Sequence, residues 1–89
     1  MKLSDLFRNQ TVAKLLDCLL ENPDQFFTIS QLAKKAKVSL SVTLERIREL
    51  EKLGIIKKIH SGKLRLYKLN TENQITKALL EFFEKIKQI

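Results

Sequence analysis

The chain has 89 residues, enough for one domain, and its 44% hydrophobic and 30% charged residues exclude a disordered protein. No apolar run approaches the roughly 18–20 residues of a transmembrane helix, the first residues lack the apolar core of a signal peptide, and the single cysteine excludes an internal disulfide. These features predict an intracellular, cytoplasmic protein.

The positive charge lies in one block of the chain. The net charge is +7, and residues 34–69 hold eleven Lys and Arg against three Asp and Glu, whereas the residues on either side are close to neutral. A basic block in an otherwise neutral chain predicts a surface that binds a polyanion.

The N-terminal third predicts a helix, a stop and a short strand. Ser4 is a candidate cap of a short turn. Apolar residues at helical spacing then predict a helix over residues 10–21, and Asn22-Pro23-Asp24 ends it because proline cannot continue the hydrogen-bond ladder. Residues 26–28 predict one arm of a small strand.

Two short helices follow. Thr28 and Gln31 have the spacing of a capping box, which predicts a second helix over residues 29–36. After a break, Ser39 is a good N-cap for a third helix that runs to about residue 53. Gly54 then stands where a left-handed residue ends a helix.

The rest of the chain predicts a hairpin and a last helix. Two β-type runs flank Ser61-Gly62, the predicted two-residue turn. Asn70 or Thr71 is predicted to cap a helix that runs to residue 89. The predicted fold is mainly α with a small β-hairpin (α+β), in the order helix, short strand, helix, helix, hairpin, helix.

The segment from Ile29 to Ile56 resembles the winged helix-turn-helix transcription regulators of the ArsR and MarR type. The resemblance is carried by Gln31-Leu32-Ala33 in the place of the family's "ELA", Val38-Ser39 at the exit of the turn, Thr43, Ile47 and Leu50 in the inward slots, and Leu53-Gly54-Ile55-Ile56 where the helix runs into the wing. It covers about residues 10–70. It implies a winged helix-turn-helix DNA-binding domain over residues 1–70, with double-stranded DNA as the partner.

The third helix is then the recognition helix, which lies in the major groove with its N-terminal turns nearest the bases. Its candidate DNA-contacting residues are Ser39, Leu40, Ser41, Leu44, Glu45, Arg46 and Arg48. Leucine can contact thymine methyl groups and glutamate can accept from cytosine N4. The alternative for the two leucines and the glutamate is that they pack against a neighbour or face solvent.

The basic hairpin is the predicted wing. Its candidate DNA-contacting residues are Lys57, Lys58, His60, Ser61, Gly62, Lys63 and Arg65, with Lys68 adding charge. The alternative is a solvated hairpin whose lysines prevent edge-to-edge pairing; for His60 it is a solvated turn residue. Lys34, Lys35 and Lys37 are predicted backbone contacts at the flank of the helix-turn-helix, although an ordinary solvated helix face explains the first two nearly as well.

The last helix, within residues 71–89, carries more apolar residues than one small domain needs. Its candidate dimer-interface residues are Ile75, Leu79, Phe82, Phe83, Ile86 and Ile89. They predict a homodimer, and the alternative is a helix that only completes the monomer core. A twofold dimer would bind half-sites about 10 base pairs apart.

The sequence thus predicts a small transcriptional regulator that binds double-stranded DNA in a sequence-dependent way. The alternative is a winged-helix module that docks on a protein of a transcription or replication complex. The sequence has no glycine-rich phosphate loop, no nucleophile–base pair and no metal-ligand set. We therefore expect a protein that is not an enzyme and that binds no metal, cofactor or small-molecule ligand. Membrane-surface binding is disfavoured because the lysines fall on a hairpin and not on one face of an amphipathic helix.

Overall fold

Four helices and an antiparallel hairpin make up the part of the chain that the computed structural model describes, residues 2, 7 and 10–89. The elements are α1 (Gln10–Glu21), α2 (Ile29–Ala36), α3 (Leu40–Lys52), β1 (Ile56–Ser61), β2 (Leu64–Leu69) and α4 (Gln74–Lys87). The predicted fold class and order of elements are confirmed. The turn predicted to be capped by Ser4 lies largely outside the described residues.

The core is built around α1, which contacts α2, α4 and β2. Leu15, Leu19 and Leu20 of α1 are almost completely buried. From α3 the core receives the three inward residues that the sequence predicts, Thr43, Ile47 and Leu50. The buried hydroxyl of Thr43 donates a 2.8 Å hydrogen bond to the Ser39 carbonyl, so a polar side chain is accommodated in this core without an unpaired group.

The arm predicted at residues 26–28 is a single bridge to the hairpin. Phe27 and Tyr67 exchange two backbone hydrogen bonds of 2.8 and 2.7 Å, and both side chains are buried. This pairing places the loop between α1 and α2 against β2. The hairpin is therefore attached to the helices on the β2 side and leaves the outer edge of β1 without a neighbouring strand among the described residues.

The start of α4 is fastened to the end of α3. The Asn70 amide group donates to the Gly54 carbonyl at 3.2 Å, and the buried Thr76 hydroxyl donates to the Ile55 carbonyl at 3.2 Å. The N-cap is Asn73, whose side-chain oxygen accepts from the backbone N–H groups of residues 75 and 76. The predicted cap at Asn70 or Thr71 was wrong: the side chain of Asn70 bonds to the Gly54 carbonyl and accepts from the Glu72 N–H, and α4 begins three residues later than a cap at Asn70 would place it.

Gly54 is expected to be the glycine that is least tolerant of substitution. Its φ is +80°, and an added Cβ would stand 2.7 Å from the side-chain nitrogen of Asn73. A left-handed alanine costs about 1–2 kcal/mol, and displacing the α4 cap adds to that cost. We expect Gly54→Ala to lower the melting temperature by about 10 °C or more, measured by circular dichroism.

Gly62 supplies the matched control. Its φ is +63°, but an added Cβ would meet nothing within 4 Å. Gly62→Ala therefore carries the backbone strain without the steric conflict, and we expect it to be clearly less destabilising. Equal melting temperatures for the two variants would show that the contact between Gly54 and Asn73 contributes nothing.

Two of the residues predicted for the dimer interface belong to the core of the domain. Phe83 and Ile86 are 1% and 5% exposed, and Leu79 is partly buried against the same core. The assignment of Phe83 and Ile86 to an intersubunit surface was wrong, because α1 uses this face of α4 to cover its own leucines. Ile75, Phe82 and Ile89 remain 48%, 44% and 80% exposed.

Candidate nucleic-acid interface

The turn between α2 and α3 orients the predicted recognition helix. Lys37 adopts the left-handed conformation (φ 59°), the only non-glycine residue in the described part of the chain with a positive φ, and its N–H bonds back to the carbonyls of α2. The Ser39 side chain then accepts from the Val42 N–H at 3.4 Å and begins α3. The predicted break and cap are confirmed, although the left-handed residue was not foreseen.

The outward side of α3 is a polar ridge. Ser41, Glu45 and Arg48 are exposed and follow one another at spacings of four and three residues, so they lie in one line on the helix surface. Exposed Lys52 continues the line by four more residues. Lys52 is not among the residues predicted to contact DNA, although the helical spacing from Arg48 was sufficient to find it.

The other candidate residues of α3 lie beside this ridge. On one flank, Leu40 is 56% exposed and Leu44 is partly buried. On the other, Arg46 makes an ion pair with Glu49, with 2.7 Å between Nη1 and Oε1. Arg46 is thereby held along the helix flank. To bind DNA it would have to leave Glu49 and pair with a phosphate instead.

The turn of the hairpin is one residue later than predicted. Ser61 pairs with Leu64, so the two turn residues are Gly62 and Lys63, and Ser61 ends β1. Gly62 has φ +63° and Lys63 has no positive φ, the pattern of a type II′ turn with glycine first. A Ser61-Gly62 turn of type I′ would have required a positive φ at serine as well, which explains the shift.

The register of the wing, residues 56–69, separates its side chains into two faces. His60 and Arg65 are directly opposite each other and share a face with Lys58. Closer to the helices, this face buries Ile56, Tyr67 and Leu69 in the core. The Lys58 ammonium group lies 3.9 Å from the Glu51 carboxylate, so this basic face adjoins the C-terminal half of α3.

The opposite face of the wing is different in character. Lys57 and Lys68 form a cross-strand pair of like charges, and Lys68 lies over the Phe26 ring at 5.1 Å. The remaining members of this face are mainly apolar, namely Ile59, Leu64 and Leu66. The predicted wing residues therefore do not share one face: Lys57 lies on the face opposite Lys58, His60 and Arg65.

The three lysines predicted at the flank of the helix-turn-helix are all exposed. Lys35 and Lys37 line a cleft together with α1 residues, and the Lys35 ammonium group lies 5.6 Å from the centre of the Phe27 ring. Lys34 lines a neighbouring cleft beside the loop after α1. A third surface lies between α2 and the N-terminal turns of α3, and none of the three lysines lines it. The α2 residues that line this surface are Ile29 and Ser30.

Cys18 is a buried residue of α1. Burial raises the pKa of its thiol, and the Glu21 carboxylate raises that pKa further, so the group stays protonated and packs as a small apolar side chain. Within residues 2, 7 and 10–89, no group of three or more His, Cys, Asp or Glu side chains is arranged to hold a metal ion. None of the helices described is long and apolar enough to cross a membrane.

The family of winged helix-turn-helix DNA-binding domains matches this chain over residues 8–57, from before α1 to the second residue of β1. The chain belongs to this family. The match covers more than half of the sequence and includes the whole helix-turn-helix. The predictions of a winged helix-turn-helix fold and of a DNA-binding domain are confirmed.

Solved structures show the same fold. A possible transcriptional regulator from Methanosarcina mazei Go1 is 16% identical, with a TM-score of 0.68 over 97% of this chain and 73% of that one. A mutant of Lactococcus lactis ZitR in complex with DNA is also 16% identical, with a TM-score of 0.63 over 82% of this chain and 52% of ZitR. No curated protein matches by sequence.

The predicted likeness to MarR-type regulators is confirmed at the level of the fold. The MarR family transcriptional regulator SPO1453 from Silicibacter pomeroyi DSS-3 is 20% identical, with a TM-score of 0.64 over 84% of this chain and 51% of that one. The present winged helix-turn-helix chain thus spans about half the length of ZitR and of SPO1453.

Proposed function

We propose that the protein binds double-stranded DNA in a sequence-dependent way and acts as a small transcriptional regulator. The recognition helix α3 enters the major groove, and the wing contacts the backbone or the minor groove. The observation that carries the proposal is that the polar outer ridge of α3 and the basic face of the wing lie close together in a chain that belongs to a family of DNA-binding domains. The basic wing face adjoins α3 through the contact between Lys58 and Glu51, so one duplex can meet both.

The wing and the recognition helix contribute differently to DNA binding. Phosphate contacts supply affinity without sequence information, and contacts with base edges supply specificity. The side chains suited to phosphates are Lys52 at the end of α3 and Lys58, Lys63 and Arg65 of the wing. Those suited to base edges are Ser41, Glu45 and Arg48, because Arg can bond guanine and Glu can accept from cytosine N4.

The proposal is tested by measuring the affinity for a mixed-sequence duplex of roughly 20 base pairs, about two helical turns, as the salt concentration rises. Four phosphate contacts predict a slope of about −3.6 in a plot of log K against log [salt] for each subunit. Fluorescence anisotropy between about 50 and 200 mM salt covers the relevant range. Failure to bind at the lowest salt concentration would reject the DNA-binding function.

We infer further that two copies associate through α4. Ile75 and Phe82 are exposed and spaced by seven residues, so they form an apolar stripe along α4, and exposed Ile89 continues the same spacing two residues beyond the end of the helix. A second α4 offers the same stripe in a twofold arrangement. The resulting homodimer would present two recognition helices to half-sites about 10 base pairs apart.

A second candidate function is docking on another protein of a transcription or replication complex. The observation that favours it is the exposed Leu40 at the start of α3, together with the negative charge of Glu45 on the outer ridge. Such a module would not bind the mixed duplex in the salt experiment. Either function places the protein inside the cell, and neither includes catalysis.

A further inference from the structure

A shallow apolar trough lies at the end of the recognition helix that approaches the bases first. It is lined by Leu40, Ser41 and Leu44 of α3 and by Ile29 and Ser30 of α2. The three apolar side chains form its floor, and the two serine side chains, both exposed, stand beside them. The trough is thus a composite surface that exists only when both helices of the helix-turn-helix are in place.

Core packing accounts for Ile29, which packs against the hydrophobic core, but not for Leu40 and Leu44. The buried side of α3 consists of Thr43, Ile47 and Leu50. Leu40 is 56% exposed, although it is the first residue of the helix, where a polar side chain would face water without cost. The structure therefore keeps apolar side chains outside the core at the position from which a recognition helix touches DNA.

The charged residues near the trough indicate which kind of partner it binds. The α3 residues of the trough lie in the basic block of residues 34–69, and Arg48 follows Leu44 by one helical turn on the same side of α3. A polyanion is the complementary partner for such surroundings. The apolar groups that a duplex displays to a helix in the major groove are the C5 methyl groups of thymine.

We propose that this trough, formed by Ile29, Leu40 and Leu44, binds thymine methyl groups and so directs the protein to thymine-containing half-sites. The inference rests on the DNA-binding function proposed above. The apolar floor packs on the methyl groups, while the hydroxyl groups of Ser30 and Ser41 face the neighbouring polar atoms of the duplex. Specificity at these positions then comes from apolar contact and not from bidentate hydrogen bonds.

The test compares two duplexes that differ only in the methyl group. One contains alternating A·T base pairs, and the other has deoxyuridine in place of every thymidine. We expect wild-type protein to bind the thymine duplex more tightly, by about fourfold for each methyl group that becomes buried. In a second arm, a G·C duplex with 5-methylcytosine should bind more tightly than the unmethylated duplex, because the same position gains a methyl group.

Leu40→Ala should reduce the preference for methylated duplexes in both arms. Leu53→Ala is the matched control, since Leu53 is 58% exposed at the other end of α3, away from the trough; it should retain the wild-type preference. Circular dichroism confirms that both variants are folded.

The possible outcomes separate the two proposals. Equal affinities of wild-type protein for the methylated and unmethylated duplexes would overturn the thymine inference and leave DNA binding intact. A methyl preference that survives Leu40→Ala unchanged would also overturn it. Failure to bind any of the four duplexes would instead reject the proposed function.

Discussion

Replacing Lys63 and Arg65 of the wing with alanine is expected to lower the affinity for duplexes of every sequence by about a hundredfold. A hydrogen bond to a charged group contributes about 1.5 kcal/mol or more, which corresponds to about tenfold in affinity for each residue. Both side chains are exposed, Lys63 in the turn and Arg65 on the basic face of the wing, so the fold should be unaffected. The salt slope should also fall by about one unit for each residue.

The matched control removes the same charge elsewhere. Lys77 and Lys87 are exposed residues of α4, and the ion pair of Lys87 with Glu84 (3.6 Å) is at the surface, where such pairs contribute little. Lys77→Ala with Lys87→Ala should leave the salt slope near its wild-type value. An equal loss of affinity in the two double variants would mean that only net charge matters and that the wing does not contact DNA.

Arg48→Ala should behave differently from the wing variants. Arg48 lies on the outer ridge of α3, where it can reach a guanine edge. Its removal is expected to change the ranking of duplex sequences in a selected-site experiment, whereas the wing variants should weaken all sequences alike.

Replacing Phe82 with aspartate is expected to convert a dimer into a monomer. Phe82 is 44% exposed in the middle of the α4 stripe, so the change should not disturb the monomer core. In a dimer, however, it would bury an unpaired carboxylate in an apolar interface, which is strongly destabilising. Sedimentation equilibrium measures the mass directly. The affinity for a duplex with two half-sites should fall by about a hundredfold or more, because the linkage between the two DNA-binding surfaces is lost.

Gln74→Asp is the control for this variant, since it introduces the same charge at an exposed residue of α4 that lies off the stripe. It should leave the dimer intact. A wild-type protein that already sediments as a monomer, or a Phe82→Asp variant that remains dimeric, would contradict the proposed interface.

The elements that the sequence predicted correctly are those with local chemical signals. The second helix has a complete capping box, in which the Thr28 side chain accepts from the Gln31 N–H and the Gln31 side chain accepts from the Thr28 N–H. Pro23 limits the first helix in a similar way, and α1 ends at Glu21. Such signals act within a few residues and do not depend on the rest of the fold.

The predictions that failed depend on contacts between distant residues. Phe83 is next to exposed Phe82 in the sequence, and the packing of α4 on the rest of the core decides which ring is buried. Likewise, the cap of α4 is Asn73, whereas the Asn70 side chain bonds to the Gly54 carbonyl, 16 residues earlier. No local pattern carries that information. The trough on α3 was equally hidden, because one of its three apolar side chains, Ile29, comes from α2.

The hydrogen bonds from Asn70 and Thr76 to the carbonyls of Gly54 and Ile55 have a geometric consequence for operator recognition. They tie the first turn of α4 and the loop before it to the two residues that follow the C-cap of α3, which limits the movement of α3 relative to α4 within each subunit. In a dimer joined through α4, neither recognition helix can then rotate to follow a displaced half-site without breaking these bonds. Moving the half-sites apart by about five base pairs would turn them to opposite sides of the duplex. The protein would therefore discriminate operators by the length of their spacer as well as by their bases.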